Sequence, residues 1–232
     1  MKNKLIVALD FPNIDEAKNL VEILEDEVNF YKIGLEMMMS GDYFEMIEFL
    51  SEKNKKIFAD LKLYDIAETV GRAVKNLSKY QNIEFLTIHC ASKEIMQQAV
   101  KNAGNIKILG VTVLTNLDEK DLSDMGFDKN LSTENLVLKK AKLAQECQVS
   151  GIVSSGFEAK IIRENVGDNL QIICPGIRLS DISGDDQKRV VDVKTAFGNG
   201  ANYIVVGRPI NRAENPLTEA KKFQKEIASF YG

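Results

Sequence analysis

Histidine and cysteine are scarce in this chain of 232 residues, which has one histidine and three cysteines. A metal site built from several histidines is therefore excluded, and zinc is not expected. A Ser-His-Asp mechanism would depend on His89 alone, and we interpret His89 as a structural hydrogen-bonding residue at the end of a strand. Cys90, Cys147 and Cys174 are odd in number and lack a C-x-x-C spacing. We therefore expect reduced thiols in a cytoplasmic protein.

Other absences limit the possible partners. The net charge is -4 and no basic tract is present, so nucleic acid is not an expected partner. The first apolar run is too short for a signal peptide, and no later run approaches a membrane span. Neither G-x-x-x-x-G-K-[ST] nor a strand-associated G-x-G-x-x-G occurs, so nucleotide triphosphate and dinucleotide cofactors lack support. No Pro/Gly/Ser-rich linker divides the chain, which predicts one domain, residues 1–232.

Short apolar runs recur at steady intervals and alternate with amphipathic segments. Continuous apolar runs of this kind are typical of strands buried on both faces of a parallel sheet. Eight strands, each followed by a helix, predict an α/β protein with a (β/α)8 (TIM) barrel fold, and a doubly wound open sheet is the alternative. The predicted strands are residues 5–9, 30–34, 56–61, 85–89, 107–113, 151–154, 171–174 and 203–206.

The third predicted strand ends in an unusual concentration of charge. Because residues two apart share a face of an extended strand, Asp60 and Lys62 are expected to point the same way. Asp65 follows, where a helix is predicted to start. Such charges beside apolar segments are costly unless they are paired or used. A structural ion pair at a strand end is the alternative interpretation, which the residues at the other strand ends do not favour here.

Polar or ionisable residues follow nearly every predicted strand. In a (β/α)8 barrel, catalytic residues collect at these carboxyl ends, so the distribution predicts an active site there. The polar connections at residues 116–130 and 178–188 are long enough to be binding loops or lids. The strand-end residues are Asp10, Lys32, Asp60, Lys62, His89, Thr115, Ser155, the Pro175-Gly176-Ile177-Arg178 segment and the Gly207-Arg208 pair.

The last two strands are each followed by glycine and arginine. Glycine lets backbone N–H groups approach an anion, and arginine can clamp it with two hydrogen bonds. Gly207 with Arg208, and Pro175 with Arg178, therefore predict a phosphate site. An arginine that only stacks on the barrel rim is the alternative for each.

The remaining groups suggest proton-transfer chemistry. Alternating acids and lysines keep each lysine protonated and each acid ionised. A protonated lysine held this way is a poor imine-forming nucleophile but a good proton donor to a developing carbanion. The predicted array is Asp10, Lys32, Asp60, Lys62 and Asp65.

Three uncharged residues complete the predicted site. Thr115, Ser155 and Gln187 suit hydrogen bonding to a base or to a closing loop. Ordinary loop capping is the alternative for each of them.

The segment Asp60-x-Lys62-x-x-Asp65-Ile66-x-x-Thr69 closely resembles the signature of the orotidine 5'-phosphate decarboxylase family. The resemblance covers essentially the whole chain in the family's order. Tyr64 stands where the family often has histidine, and Ala67-Glu68 stands where Pro-Asn is usual. Further matches are Val7-Ala-Leu-Asp10, Tyr31-Lys32-Ile-Gly34, Thr112-Val-Leu-Thr115, Pro175-Gly-Ile-Arg178, Gly184-Asp-Asp-Gln187 and Val206-Gly207-Arg208-Pro209-Ile210.

The resemblance implies a homodimeric barrel that converts orotidine 5'-monophosphate to uridine 5'-monophosphate and CO2 without metal or organic cofactor. This reaction is the last step of de novo pyrimidine nucleotide synthesis. The resemblance further implies that Lys62 protonates C6 of the pyrimidine and that Asp60 lies against the substrate carboxylate. Asp65 and Thr69 would reach the neighbouring subunit's site.

The resemblance also assigns the rest of the substrate site. Asp10 and Lys32 would hold the ribose hydroxyls. The implied phosphate site and its closing loop comprise Arg178, Gln187, Gly207 and Arg208, and the other implied substrate contacts are Ile66, Thr115, Ser155 and Pro175.

Two other functions remain open at this point. A related metal-dependent barrel enzyme, of the hexulose-phosphate synthase or keto-acid sugar-phosphate decarboxylase type, also uses an Asp-x-Lys-x-x-Asp segment. Ile66, Thr69 and Gln187 favour the orotidine interpretation. A non-catalytic nucleotide-binding barrel is the second alternative.

Overall fold

Eight parallel strands close into a barrel in the computed structural model, which describes residues 4–179 and 190–232. In the described residues, neighbouring strands run in the order β1-β10-β7-β6-β5-β4-β3-β2, which closes because β1 pairs with both β10 and β2. A separate short pair, β8 with β9, follows β7 at the mouth. The strands are β1 Leu5–Ala8, β2 Phe30–Gly34, β3 Lys56–Leu63, β4 Ile83–His89, β5 Lys107–Val111, β6 Gly151–Val153, β7 Gln171–Cys174, β8 Ile177–Arg178, β9 Val191–Asp192 and β10 Tyr203–Val206.

Helices cover the outside of the barrel and bury one apolar face each. Asn13 caps the first helix: its side chain accepts a hydrogen bond from the Glu16 N–H at 3.0 Å. Asn215 likewise precedes Pro216 at the start of the last helix. The helices are α1 Ile14–Leu24, α2 Leu35–Ser40, α3 Tyr43–Glu52, α4 Ala67–Leu77, α5 Lys93–Asn102, α6 Glu119–Asp124, α7 Thr133–Glu146, α8 Ala159–Val166, α9 Val193–Gly198, α10 Arg208–Asn211 and α11 Pro216–Tyr231.

The barrel interior is closed at its amino-terminal end by an aromatic floor, which we define as Phe30, Phe58, Phe85 and Tyr203. The ring centroid of Phe85 lies 5.2 Å from that of Phe30, 5.9 Å from that of Phe58 and 5.1 Å from that of Tyr203. Tilted and edge-to-face contacts at these distances are favourable beyond the area they bury. The floor packs the barrel interior below a cavity that opens at the carboxyl ends of the strands.

Strand packing fixes Gly151 on β6. A Cβ atom at this position would lie 2.6 Å from the main-chain oxygen of Gln171 on β7. Any side chain would therefore force the two strands apart, which explains glycine at the start of this strand.

The predicted barrel is confirmed, and several predicted boundaries are wrong by one or two residues. Strand β3 continues to Leu63 and β5 ends at Val111. Helix α4 begins at Ala67 instead of Asp65, and Ile66, which stands four residues before the buried Val70, is 70% exposed. The loop 116–130 contains α6, whereas most of the predicted connection 178–188, including Gln187, lies outside the described residues. No helix in the described ranges is long and apolar enough to cross a membrane.

Candidate active site

A cavity of about 290 Å³ opens at the carboxyl ends of the barrel strands. Its walls come from segments that are far apart in the sequence, because barrel closure places β1 beside β10. Apolar residues also line the cavity, among them Phe58, Val111 and Val153. The predicted site residues that line it are Asp10, Lys32, Asp60, Lys62, Thr115, Pro175, Arg178, Gly207 and Arg208.

Two lysines and two carboxylates form a continuous ion-pair chain on one wall. Lys32 Nζ lies 2.8 Å from Asp10 Oδ1 and 3.5 Å from Asp60 Oδ2. Lys62 Nζ lies 2.8 Å from the other oxygen of Asp60. Asp60 therefore bridges the two lysines, and its side chain is only 13% exposed. Charges this close in a partly dry cavity interact much more strongly than in water.

The ion pairs determine the protonation states of Lys32 and Asp60, the two most buried of the four charged residues. Burial by itself would lower the pKa of Lys32, but the neighbouring Asp60 and Asp10 carboxylates outweigh burial and raise it above its ordinary value. Burial would raise the pKa of Asp60, but Lys32, Lys62 and the Thr87 hydroxyl lower it below its ordinary value. At neutral pH, Lys32 is therefore an ammonium and Asp60 a carboxylate.

A bulge in β3 positions the charged side chains of Asp60 and Lys62. Ala59 pairs with Leu86 of β4 and Leu63 pairs with Ile88, so four steps along β3 face two steps along β4. Lys62 lies inside this bulge with φ +48°, in the left-handed region that non-glycine residues rarely adopt. Both Asp60 and Lys62 face the cavity as predicted, but simple period-two alternation was an incomplete reason for it.

Sequence reasoning missed Thr87, which lies on β4 opposite the bulge. Thr87 is fully buried, and its hydroxyl donates to Asp60 Oδ1 at 2.9 Å while accepting from the Lys62 backbone N–H at 2.9 Å. Threonine is common in strands and stands here within an apolar run, so the sequence contained no signal that set it apart.

A second wall of the cavity, formed after β7 and β10, carries two arginines. Arg178 follows β7 in the short strand β8, is 6% exposed, and donates to the main-chain oxygen of Ile177 at 2.9 Å. Burial, together with the nearby Arg208 guanidinium, lowers the pKa of Arg178 below its ordinary value. Gly207 and Arg208 follow β10 and line the same cavity. Two guanidinium groups close enough to oppose each other's charge favour an anion between them.

Four of the predicted site residues that the structure describes do not line this cavity. Asp65 and Ile66 are exposed beyond the end of β3, where Asp65 Oδ1 accepts the Ile66 N–H at 2.6 Å, and Thr69 lies in the first turn of α4. Ser155 is fully buried, and its hydroxyl accepts the Glu158 N–H at 3.4 Å before α8. Gln187 lies outside the described residues. The substrate contacts predicted for these residues stay predictions.

His89 ends β4 beside the charged wall. Its ring centroid lies 5.8 Å from that of Tyr64. Burial, followed by the charges of Lys140 and Lys62, lowers the pKa of His89, so the imidazole is neutral at pH 7. In the described part of the chain, no group of three or more His, Cys, Asp or Glu side chains is arranged to hold a metal ion.

The closed parallel barrel, with paired charges and arginines at the carboxyl ends of its strands, defines a (β/α)8-barrel enzyme. Residues 3–223 match the Orotidine 5'-phosphate decarboxylase / HUMPS family. The chain belongs to this family.

Individual relatives agree with that assignment. Orotidine 5'-phosphate decarboxylase of Methylococcus capsulatus is 48% identical over 230 residues, which are 99% of this chain and 93% of that protein. The enzyme of the same name from Xylella fastidiosa is 40% identical over 98% of this chain and 92% of its own length. The crystal structure of orotidine 5'-phosphate decarboxylase from Lactobacillus acidophilus superposes with a TM-score of 0.85 at 31% identity, covering 99% of this chain and 100% of that one.

Proposed function

We propose that this protein decarboxylates orotidine 5'-monophosphate to uridine 5'-monophosphate, the last step of de novo pyrimidine nucleotide synthesis, in the cytoplasm. The main support within the molecule is the Lys62 ammonium, which lies 2.8 Å from Asp60 inside the cavity. Arg178 and Arg208, on the second wall of the cavity, suit the phosphate of a nucleotide whose base reaches Lys62. The relatives that match over nearly the whole chain are named orotidine 5'-phosphate decarboxylase.

Lys62 is proposed to supply the proton that the reaction needs. The bond between C6 and the carboxylate breaks, CO2 leaves, and the electron pair stays on C6. The Lys62 ammonium transfers its proton to C6, and the resulting amine regains a proton from solvent. Because the carbanion at C6 is poorly stabilised, an ammonium fixed beside it stabilises charge where it develops in the transition state.

Asp60 and Lys32 are proposed to set the electrostatics around this step. Asp60 would lie against the substrate carboxylate and disfavour that charge before CO2 leaves. Lys32 would keep Asp60 ionised and, together with Asp10, hold the ribose hydroxyls. The depressed pKa of Asp60 and the raised pKa of Lys32 support these roles, because both groups keep their charges at neutral pH.

The far end of the substrate is proposed to bind at the second wall. Arg178, Gly207 and Arg208, with Gln187 from the following connection, would bind the phosphate, while Pro175 and Thr115 contact the ligand. Phosphate binding can drive closure of a loop over the base, so that part of the binding energy is expressed only in the transition state.

We further propose that the reaction uses no metal. Lys32 Nζ lies between the carboxylates of Asp10 and Asp60, at 2.8 and 3.5 Å, and therefore supplies the positive charge that a bridging cation would supply. This arrangement favours the decarboxylase over the metal-dependent sugar-phosphate enzymes that the family name also covers.

A second copy of the chain is proposed to complete each site. Asp65, Ile66 and Thr69 lie outside the cavity of their own chain, and Tyr64 and Ile66 are each 70% exposed. Apolar side chains this exposed suit an interface, which would bring Asp65, Ile66 and Thr69 to the neighbouring active site. Full activity in a species shown by analytical ultracentrifugation to be a single chain would contradict the dimer.

The function is tested by following orotidine 5'-monophosphate by ultraviolet absorbance with purified protein and no added metal. We expect stoichiometric formation of uridine 5'-monophosphate, at a rate that EDTA does not change. The parallel control offers ribulose 5-phosphate and formaldehyde with Mg²⁺, on which we expect no turnover.

Two results would contradict the proposal in different ways. No turnover of orotidine 5'-monophosphate would reject the decarboxylase function altogether. Turnover that EDTA abolishes and Mg²⁺ restores would reject only its metal independence.

A further inference from the structure

The bulge in β3 leaves a backbone group without a strand partner next to the reacting residues. Lys62 lies between the paired positions Ala59 and Leu63, in the stretch where the register of β3 shifts against β4. In the interior of a protein, an unpaired backbone N–H is costly, so a partner is required. That partner comes from a side chain, because Lys62 N–H donates to Thr87 Oγ1 at 2.9 Å.

One hydroxyl group then links three points of the charged wall. A threonine hydroxyl has one proton to donate and lone pairs to accept. Thr87 accepts from the Lys62 backbone and donates to Asp60 Oδ1 at 2.9 Å, and the same Asp60 oxygen accepts from Lys62 Nζ at 2.8 Å. The result is a closed ring that joins the lysine backbone, Thr87, Asp60 and the lysine ammonium.

We propose that Thr87 is a positioning residue for the decarboxylation: its hydroxyl fixes the Asp60 carboxylate and the Lys62 ammonium relative to each other. This inference rests on the proposed function. Thr87 is fully buried and does not line the cavity, so it acts through Asp60 and Lys62 without touching the substrate.

The two hydrogen bonds have separate consequences for the reaction. The bond to the Lys62 N–H holds a backbone at φ +48°, from which the side chain starts toward the cavity. The bond to Asp60 favours its ionised form, because a donor stabilises the carboxylate more than the acid. Loss of both bonds would loosen Lys62 and make Asp60 easier to protonate.

The test compares Thr87→Val with Thr87→Ser in the full-length protein. Valine keeps the shape of threonine but removes the hydroxyl, whereas serine keeps the hydroxyl and removes the methyl group. We expect kcat of Thr87→Val to fall by about 10- to 100-fold, since small displacements of reacting groups have effects of this size. The KM of Thr87→Val should stay within about threefold of the wild-type value, because the substitution leaves the proposed phosphate-binding arginines unchanged. Thr87→Ser should recover most of kcat.

The pH profile separates positioning from a purely structural role. In Thr87→Val, the pKa of Asp60 rises because one stabilising donor is gone, so the acidic limb of kcat should move to higher pH. A structural defect would instead lower kcat equally at all pH values. Thr112→Val is the matched control, since Thr112 is also buried but its hydroxyl donates to the main-chain oxygen of Val153 at 3.2 Å; its kcat and pH profile should match those of the wild type.

Each remaining outcome decides the question. A Thr87→Val enzyme with wild-type kcat and pH profile overturns the inference, as does an equal loss in Thr112→Val or a failure of serine to restore kcat. If Thr87→Val does not fold by circular dichroism, Thr87→Cys replaces it, because a thiol is a weak donor and acceptor. A Thr87→Cys enzyme as active as Thr87→Ser would then overturn the inference. A wild-type protein without activity rejects the proposed function instead.

Discussion

On β2, Phe30 is fully buried in the aromatic floor, whereas Lys32, two residues farther on the same face, is an ion-paired ammonium in the cavity. Strand β3 repeats this contrast with Phe58 in the floor and Asp60 in the cavity. On β4 the corresponding residues are Phe85 in the floor and Thr87, whose hydroxyl is buried. Each of these three adjacent strands thus changes from an aromatic to a polar side chain two residues farther along the same face.

The two regions stabilise the protein very differently. Each buried aromatic ring of the floor contributes favourably because it leaves water and packs against other rings. In the cavity wall, ion pairing must first offset the desolvation of every charge, so the net gain in stability is small. The contrast indicates that the floor contributes much more to the stability of the barrel than the cavity wall does.

Removing the ammonium of Lys62 should have the largest effect. We expect Lys62→Ala to lower kcat by about 10³-fold or more, because both a proton donor and transition-state electrostatics are lost. The free energy of unfolding should change by only about 1 kcal/mol, since Asp60 keeps Lys32 and Thr87 as partners. Steady-state kinetics and urea denaturation measure the two quantities.

The matched control for that substitution is Lys56→Ala. Lys56 begins the same strand but pairs with Glu84 at 3.0 Å and does not line the cavity. Its kcat should equal that of the wild type. A Lys62→Ala variant that keeps the kcat of the wild type would contradict the role proposed for Lys62.

In the floor, the effect should fall on stability instead. We expect Phe85→Ala to lower the free energy of unfolding by about 3–5 kcal/mol, because it opens a cavity among tightly packed rings. The kcat per folded molecule should change far less than in Lys62→Ala. Urea denaturation followed by circular dichroism measures the loss.

Phe157→Ala is the control in this case, because Phe157 is 57% exposed. We expect its stability to stay within about 0.5 kcal/mol of the wild type. Equal losses in the two variants would remove the distinction between floor and surface, and a kcat loss in Phe85→Ala as large as that in Lys62→Ala would remove the distinction between floor and wall.

The smallest effect concerns how stability depends on pH. The pKa of Asp60 is lower in the folded protein than its ordinary value of 3.8, so its ionised form stabilises the fold above that pH. This contribution is lost as pH falls through the folded pKa. The difference in unfolding free energy between wild type and Asp60→Asn should therefore be constant above about pH 5 and change by about 1 kcal/mol or more in acid. Urea denaturation from pH 3 to 7 measures it, and a difference that does not vary with pH would mean that Asp60 is not held ionised.

Much of the fold followed from local pattern, because buried parallel strands require apolar runs and helices require apolar stripes. The start of α4 was less predictable: Ile66 stands four residues before the buried Val70 but is exposed, since the helix begins after it, at Ala67. Hydrophobic spacing identifies a helix face well but does not fix where the chain enters the helix.

The cavity wall shows the same limit within a strand. Period-two alternation predicted Asp60 and Lys62 on one side, but the bulge that contains them exists only in the pairing of β3 with β4. Thr87 became visible as a partner of Asp60 and Lys62 only through that pairing. A single strand does not encode the register of its neighbour.

The sequence by itself determined which residues follow each strand, and therefore that acids, lysines and arginines would meet at one end of a parallel barrel. The tertiary structure decided which of them touch. Closure of β1 onto β10, with Val7 opposite Val206, brings Asp10 and Arg208 into one cavity. The β3 bulge places Lys62 over Thr87. The physical reason is that burial follows the periodicity of a segment, whereas contacts between side chains depend on strand register and barrel closure, which involve the whole chain.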